Sequence, residues 1–228
     1  MKMRMFALSL FFFSLPLLNL SGEEFIKIKI ILTDRTNVYQ SVAKNCKEFS
    51  VYDKNIETIV GLDRLPDLRK ITVIYTPTIT DMHFVEDCTS LQIIEISTSG
   101  NIKILPDLSK LKNITAIIIR SCDGAAINTT NPAFDFSNNP KLEYFQIADC
   151  GLTKFPKLTH LPKSLKYVNF SGNLIESIDD ESLRALRNVK VFVAENLIDE
   201  KQYSGRKNLG FSLEDMWQIL PAEFQATY

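Results

Sequence analysis

Eleven residues, Leu165-Lys-Tyr-Val168-Asn-Phe170-Ser-Gly-Asn173-Leu-Ile175, meet the pattern L-x-x-L-x-L-x-x-N-x-L at every demanded position, with Val, Phe and Ile replacing Leu. The pattern recurs. A step of 23 residues back finds Leu142-Glu-Tyr-Phe145-Gln-Ile147-Ala-Asp-Cys150, and a step of 23 forward finds Asn188-Val-Lys-Val191-Phe-Val193-Ala-Glu-Asn196. Seven such units start at residues 46, 68, 91, 114, 142, 165 and 188. All steps are 22 or 23 residues except the 28 between 114 and 142, whose five-residue insertion falls within 124–139. One unit of this size cannot bury its own apolar edge. Stacked units can, so inward residues must recur at one angular position, and a period in the twenties is what such stacking produces.

The ninth position runs Lys54, Thr76, Ser99, Cys122, Cys150, Asn173 and Asn196. A side chain there is expected to be buried and to bond the loops above and below. Asn and Cys suit this role, Ser and Thr suit it less, and Lys54 marks an imperfect first unit. Between the strands lie Leu65-Pro66, Leu105-Pro106, Phe155-Pro156 and Leu161-Pro162. Proline lacks an N–H and resists a regular helix, so short 3₁₀ turns or extended segments are expected on that side. Asp179 to Asn188 begins with acids and ends with bases, the charge order of a short helix. Phe25 to Leu32 alternates like a strand, and Asn37 to Lys44 reads as one or two helical turns. Ser212-Leu-Glu-Asp215 opens a helix whose apolar face is Leu213, Met216, Trp217 and Leu220, with Trp217 expected to pack over the last unit.

This pattern resembles the leucine-rich repeat superfamily, over residues 46–198. The resemblance implies an α/β leucine-rich-repeat solenoid: a curved right-handed arc with a parallel β-sheet on its concave face. The expected organisation is a signal peptide at 1–22, an N-terminal cap at 23–45, about seven repeats of 22–28 residues at 46–198, and a C-terminal cap with a short helix at 199–228. The chain looks most like small secreted bacterial members, which include adhesins and virulence factors that grip host proteins. It departs from the internalin type in lacking a strict 22-residue period. It also lacks the extra domain of the bacterial ubiquitin-ligase effectors, and neither specific function is carried over.

Export is read from the first residues themselves. Lys2 and Arg4 precede a nearly unbroken apolar run from Met5 to Leu20, and Ser21-Gly22 supply small residues before Glu23-Glu24. The competing reading is an uncleaved anchor, but Pro16 and Asn19 interrupt the run and leave it short of a span. Cleavage places the mature chain in the periplasm, the envelope or outside the cell, without membrane insertion. With 26 basic against 27 acidic residues, no electrostatic case exists for nucleic acid. Four cysteines, Cys46, Cys88, Cys122 and Cys150, invite pairing in an exported chain. Cys122 and Cys150 share a ladder position in adjacent units, where parallel strands offer poor disulfide geometry, so buried thiols are expected there.

Strand alternation assigns the concave face. The third, fifth, seventh and eighth positions of each unit point away from the core. An apolar and aromatic band follows: Ile74, Tyr75, Ile93, Ile118, Tyr144, Tyr167 and Phe192, with Lys70, Glu95 and Arg120 supplying orientation. Exposed bands of this kind mark interaction sites, and seven strands spaced by about 4.8 Å span roughly 30 Å, the scale of a protein interface. The alternative is that a cap or the 124–139 loop folds over this face. His83 and His160 have no Cys or Asp at nucleophile or metal spacing. Asp179-Asp180-Glu181 lacks an alternating calcium loop. No catalytic residue, metal or cofactor is assigned. The expected function is a non-catalytic module binding a protein partner. The alternative is an envelope scaffold that self-associates through the same face, as a homodimer for example.

Overall fold

The computed structural model describes residues 24–99, 101–123, 134–221 and 224. The expected signal segment and most of the 124–139 insertion lie outside them. The chain opens with an antiparallel hairpin of β1 (Phe25–Leu32) and β2 (Asn37–Ala43). The helical turns expected at Asn37–Lys44 are therefore a strand. Val38 and Val42 stand opposite Ile30 and Ile26, and Thr36 N–H donates to Asp34 Oδ1 at 2.8 Å inside the connecting turn. Alternating β-branched residues beside a strongly apolar strand outweigh a weak helical propensity.

The repeats begin at β3 (Glu48–Tyr52). After Tyr52 the first unit leaves the repeat path, because β4 (Ile56–Val60) turns back to pair antiparallel with β1. Lys54 is exposed accordingly and takes no ladder place. The following units supply β5 (Lys70–Ile74), β6 (Ile93–Ser97) and β7 (Ala116–Arg120). Next come β8 (Phe134–Asp135), β9 (Tyr144–Ala148), β10 (Leu158–Thr159), β11 (Tyr167–Asn169), β12 (Lys190–Phe192) and β13 (Leu209–Gly210). The main sheet has the order β13-β12-β11-β9-β7-β6-β5-β3 and is parallel throughout. It holds the seven expected strands and an eighth, β13, in the segment read as cap.

The register reproduces the sequence alignment. Phe49, Ile71, Ile94, Ile117, Phe145, Val168 and Val191 stand side by side across the sheet, and Val51, Val73, Ile96, Ile119 and Ile147 form the next row. Both rows are buried and join one core with the opposite-side residues Leu62, Val85, Leu111, Leu183 and Leu186. That side carries short 3₁₀ turns at Leu62–Arg64, His83–Val85, Leu108–Lys110 and Glu200–Tyr203. The expected helix is α1 (Asp180–Ala185), whose cap Asp179 accepts from Ser182 N–H at 2.8 Å. β8 and β10 form a separate two-stranded parallel ladder. The last helix is α2 (Leu213–Ile219), capped by Ser212, whose Oγ accepts from Glu214 N–H at 3.1 Å.

Burial changes along the sheet. β3 alternates exposed and buried residues, whereas β7 and β9 are buried at every position. The outward residues Thr72, Glu95, Ile118, Gln146, Asn169 and Phe192 are all buried, so the concave face is open toward the β3 end only.

Candidate functional site

The cover is the segment that follows β13. α2 and the turn closed by Phe224 N–H donating to Pro221 O at 2.9 Å lay Met216, Leu220 and Phe224 on the concave side. Leu220 and Phe224 form a small second core with Ala116, Ile118 and Tyr144, flanked by Ile93 and Tyr167. Met216 Sδ accepts from Asn169 Nδ2 at 3.1 Å. Of the expected band, Ile118, Tyr144 and Phe192 are buried within the chain rather than exposed. Trp217 is half-buried and lines the space over the sheet, together with Glu195 of the last unit. The physical reason is the spacing 216, 220, 224, which continues one apolar face of α2 through the Pro221 turn.

The open half lies toward β3. There Tyr52 stacks on Tyr75 with ring centroids 5.7 Å apart and 22° between planes, and the two are 49% and 48% exposed. Ile74, next to Tyr75 and paired with Tyr52, is half-buried, and Ile93, at the other end of its strand, is half-buried against the second core. Tyr52 stands on the expected outward row but outside the expected band. What promotes it is its contact with Tyr75, which crosses from the seventh position of one unit to the eighth of the next.

A polar chain runs between the two halves. Lys70 Nζ lies 2.9 Å from Glu95 Oε2, and Arg120 Nη2 lies 3.4 Å from Glu95 Oε1, with Glu95 and Arg120 both buried. Further along, the Tyr144 hydroxyl donates to Gln146 Oε1, Asn169 Nδ2 donates to the same oxygen at 3.2 Å, and Asn169 Oδ1 accepts from Ser171 N–H at 2.9 Å. Between this network and α2 is a cavity of about 150 Å³, bordered by Arg120, Asp149, Ser171, Glu195, Met216 and Trp217. Burial, and then repulsion from Glu195, push the Asp149 carboxyl above its ordinary pKa, with Arg120 opposing.

The rim of the sheet is set by the backbone. Tyr75, Thr98, Ser121, Asp149, Gly172 and Glu195, the eighth residues of successive units, all adopt left-handed conformations with φ between 50° and 67°. Only one is glycine, so the strain is carried by the packing around it. This turn throws the ninth side chain inward. Asn173 Oδ1 accepts from Cys150 N–H at 3.1 Å and from Leu152 N–H at 3.0 Å, and its Nδ2 donates to Ile147 O at 2.8 Å and Phe170 O at 2.9 Å. Asn196 Oδ1 accepts from Ile175 N–H at 3.0 Å, Cys150 Sγ from Cys122 N–H at 3.4 Å, and Ser99 Oγ from Thr76 N–H at 3.3 Å. Each unit thus satisfies the loop of the unit before it. The architecture is a leucine-rich-repeat solenoid.

Solved structures with this architecture include human trophoblast glycoprotein (Wnt-activated inhibitory factor 1), which matches over 59% of this chain and 62% of its own at 11% identity and a TM-score of 0.38. An internalin (InlF) of Listeria monocytogenes matches over 70% of this chain and 58% of its own at 15% identity and a TM-score of 0.32. The functional domain of InlJ from Listeria monocytogenes, described as including a cysteine ladder, matches over 67% and 45% at 12% identity and a TM-score of 0.23. This chain therefore spans less than two thirds of each of them. The fold assignment rests on the register and the ladder, not on these likenesses. No protein-family model matches the sequence. No curated protein matches it either.

The two histidines have local partners in the repeats. His83 Nδ1 lies 2.7 Å from Glu86 and His160 Nδ1 lies 3.0 Å from Asp135, both on exposed segments. The backbone N–H of Ser137 donates to the same Asp135 carboxylate at 2.8 Å, and the Ser137 hydroxyl accepts from Asn138 Nδ2 at 3.4 Å. Asp179 is occupied as the cap of α1. Among the described residues no three His, Cys, Asp or Glu side chains converge as for a metal, and no helix is long and apolar enough to cross a membrane. All four cysteines are free thiols. Cys122 Sγ donates to Arg120 O at 3.2 Å and Cys150 Sγ to Ala148 O at 3.0 Å. The contact with Cys122 and burial hold the Cys150 thiol protonated, and burial pushes Cys88 up to about 12.

Proposed function

We propose that this chain is an exported, non-catalytic module that binds a protein partner through its concave sheet. The half-exposed Tyr52–Tyr75 stack, with Ile74 beside it, carries this reading. Paired tyrosines bury much area at little entropic cost, which makes them effective anchors. The Lys70–Glu95–Arg120 chain beside them supplies fixed charge that orients an approaching surface. Ile118, Tyr144 and Tyr167 belong to the same face, on the part that the overlying segment now shares, and Phe192 belongs to it beside Gly210 of β13. Export rests on residues 1–22. A bacterial source and a host protein as the partner rest on the resemblance to secreted bacterial repeat proteins.

The test compares the chain with a Tyr52→Ala/Tyr75→Ala variant, both immobilised and offered the same extracellular protein mixture. A protein retained by the unmodified chain and lost by a variant of equal melting temperature supports the reading. Equal retention places binding elsewhere on the molecule. Light scattering over a wide concentration range separates the second reading, in which the face pairs with another copy. A mass that rises with concentration, and stops rising in the variant, assigns the tyrosines to self-association.

A further inference from the structure

Three observations converge where α2 crosses the sheet. Asp149 and Glu195 occupy the same eighth position two units apart, and the residue between them is Gly172. A Cβ on Gly172 would lie 1.9 Å from Asp149 Oδ1, so the Asp149 carboxylate rests in the space a side chain would fill, toward Glu195. Neither acid has an ion-pair partner among the described residues, while the nearby Arg120 is paired with Glu95. Ser171 is buried in the wall of the same cavity, and its Oγ has no hydrogen-bond partner.

The resident segment does not complement this wall. From Asn208 to Tyr228 there is no Lys, Arg or His, and the acids are Glu214, Asp215 and Glu223. Beside the carboxylates, which stay exposed at the rim of the cavity, it places Leu213, Met216, Trp217 and Leu220. α2 is also only seven residues long, far below the length at which a helix persists alone in water, so docking holds it in shape. Segments of this kind open at low cost relative to the core they cover.

We infer that α2, together with Leu220 and Phe224, is a displaceable occupant of a helix-binding groove, and that the partner of this groove is a basic amphipathic helix. Such a helix presents apolar side chains where Met216, Leu220 and Phe224 lie, and a lysine or arginine against Asp149 and Glu195. This deepens, and rests on, the reading that the concave sheet binds protein. The apolar anchors reproduce the seating that the chain already gives its own helix. The cation supplies what that helix lacks: a counter-charge for two carboxylates and a donor for Ser171 Oγ.

Trp217 is the only tryptophan of the chain, so its emission reports displacement directly. The probes are two synthetic peptides with the sequence of residues 212–224, one carrying Trp217→Lys and the other Trp217→Leu. Titrated into the full chain, the lysine peptide is expected to shift Trp217 emission to the red, saturably, at about tenfold lower concentration than the leucine peptide. That advantage should vanish in the Asp149→Asn/Glu195→Gln variant and shrink with added salt. Equal potency of the two peptides overturns the basic partner. No shift with either overturns the displaceable helix. Partner capture that still depends on Tyr52 and Tyr75 would leave the broader reading standing in both cases, and its loss alone would remove that reading without touching the peptide result.

Discussion

The ring of Phe224 stacks on the ring of Tyr144, with centroids 5.2 Å apart and 29° between planes. Tyr144 is the largest fully buried side chain among the described residues, and it owes that burial to a segment outside the repeats. Leu220→Ala/Phe224→Ala should therefore release α2 without unfolding the solenoid. Phe→Ala at a buried site costs about 3–5 kcal/mol, but the loss here is capped by the free energy that docks the segment. Hydrogen exchange is the measurement: amides of 213–220 lose protection while those of β5, β6 and β7 keep theirs. Protection lost evenly throughout would make the segment part of the cooperative core.

Asn173→Ala is expected to be among the costliest substitutions. It leaves the N–H groups of Cys150 and Leu152 without an acceptor in a buried loop. At about 1–3 kcal/mol for each orphaned group, the sum is roughly 2–6 kcal/mol. Thermal denaturation should show a fall of roughly 5–20 °C for a chain of this size. Thr76→Ala, whose side chain bonds only Ser99 Oγ, should cost about 1 kcal/mol.

Asp149 has a distinct pH signature. Its folded pKa is raised above the ordinary 3.8 by burial and by Glu195. An acid raised on folding binds its proton more tightly in the native state, so stability is greatest below 3.8 and declines as pH rises toward the folded value. Asp149→Asn should thus melt slightly higher than the unmodified chain at neutral pH, and equally at pH 3. The difference between the two proteins is the quantity to follow, because Asp34, Asp107, Asp135 and Asp179 shift the other way through hydrogen bonds and destabilise both in acid. A gap that persists at pH 3 would trace to something other than the charge.

The thiols should react in order of access. Cys46 is half-buried, while Cys88, Cys122 and Cys150 are buried and hydrogen-bonded. Under native conditions an aromatic disulfide reagent should modify Cys46 first and leave the other three until the protein unfolds. Rapid native reaction of Cys122 or Cys150 would mean that the ladder opens.

The repeats were legible because stacking forces them to be periodic. The rows through Ile71, Ile94, Ile117, Phe145 and Val168 follow from counting, and Asn173 and Asn196 bond as an inward ninth residue must. The caps were less legible. Asn37–Ala43 needed knowledge of the strand it pairs with, and β13 is only two residues long, too short to leave a pattern. In the candidate site, Tyr75 is exposed and Ile74 and Ile93 are half-buried, but the exposure expected for Ile118, Tyr144 and Phe192 is absent. Met216 and Leu220 carried a periodic signal for a helix, yet nothing in that signal said where the helix would dock.

The sequence by itself determined the number and spacing of the repeats, the inward rows and the chemistry of the ladder. These depend on contacts between equivalent positions, which recur at a fixed interval along the chain. Only the tertiary structure decided which part of the concave face is covered, because an apolar face on α2 is satisfied by any apolar surface within reach. It also decided that Asp149 and Glu195 share one cavity, since their approach depends on the left-handed turns at the rim and on the missing side chain at Gly172.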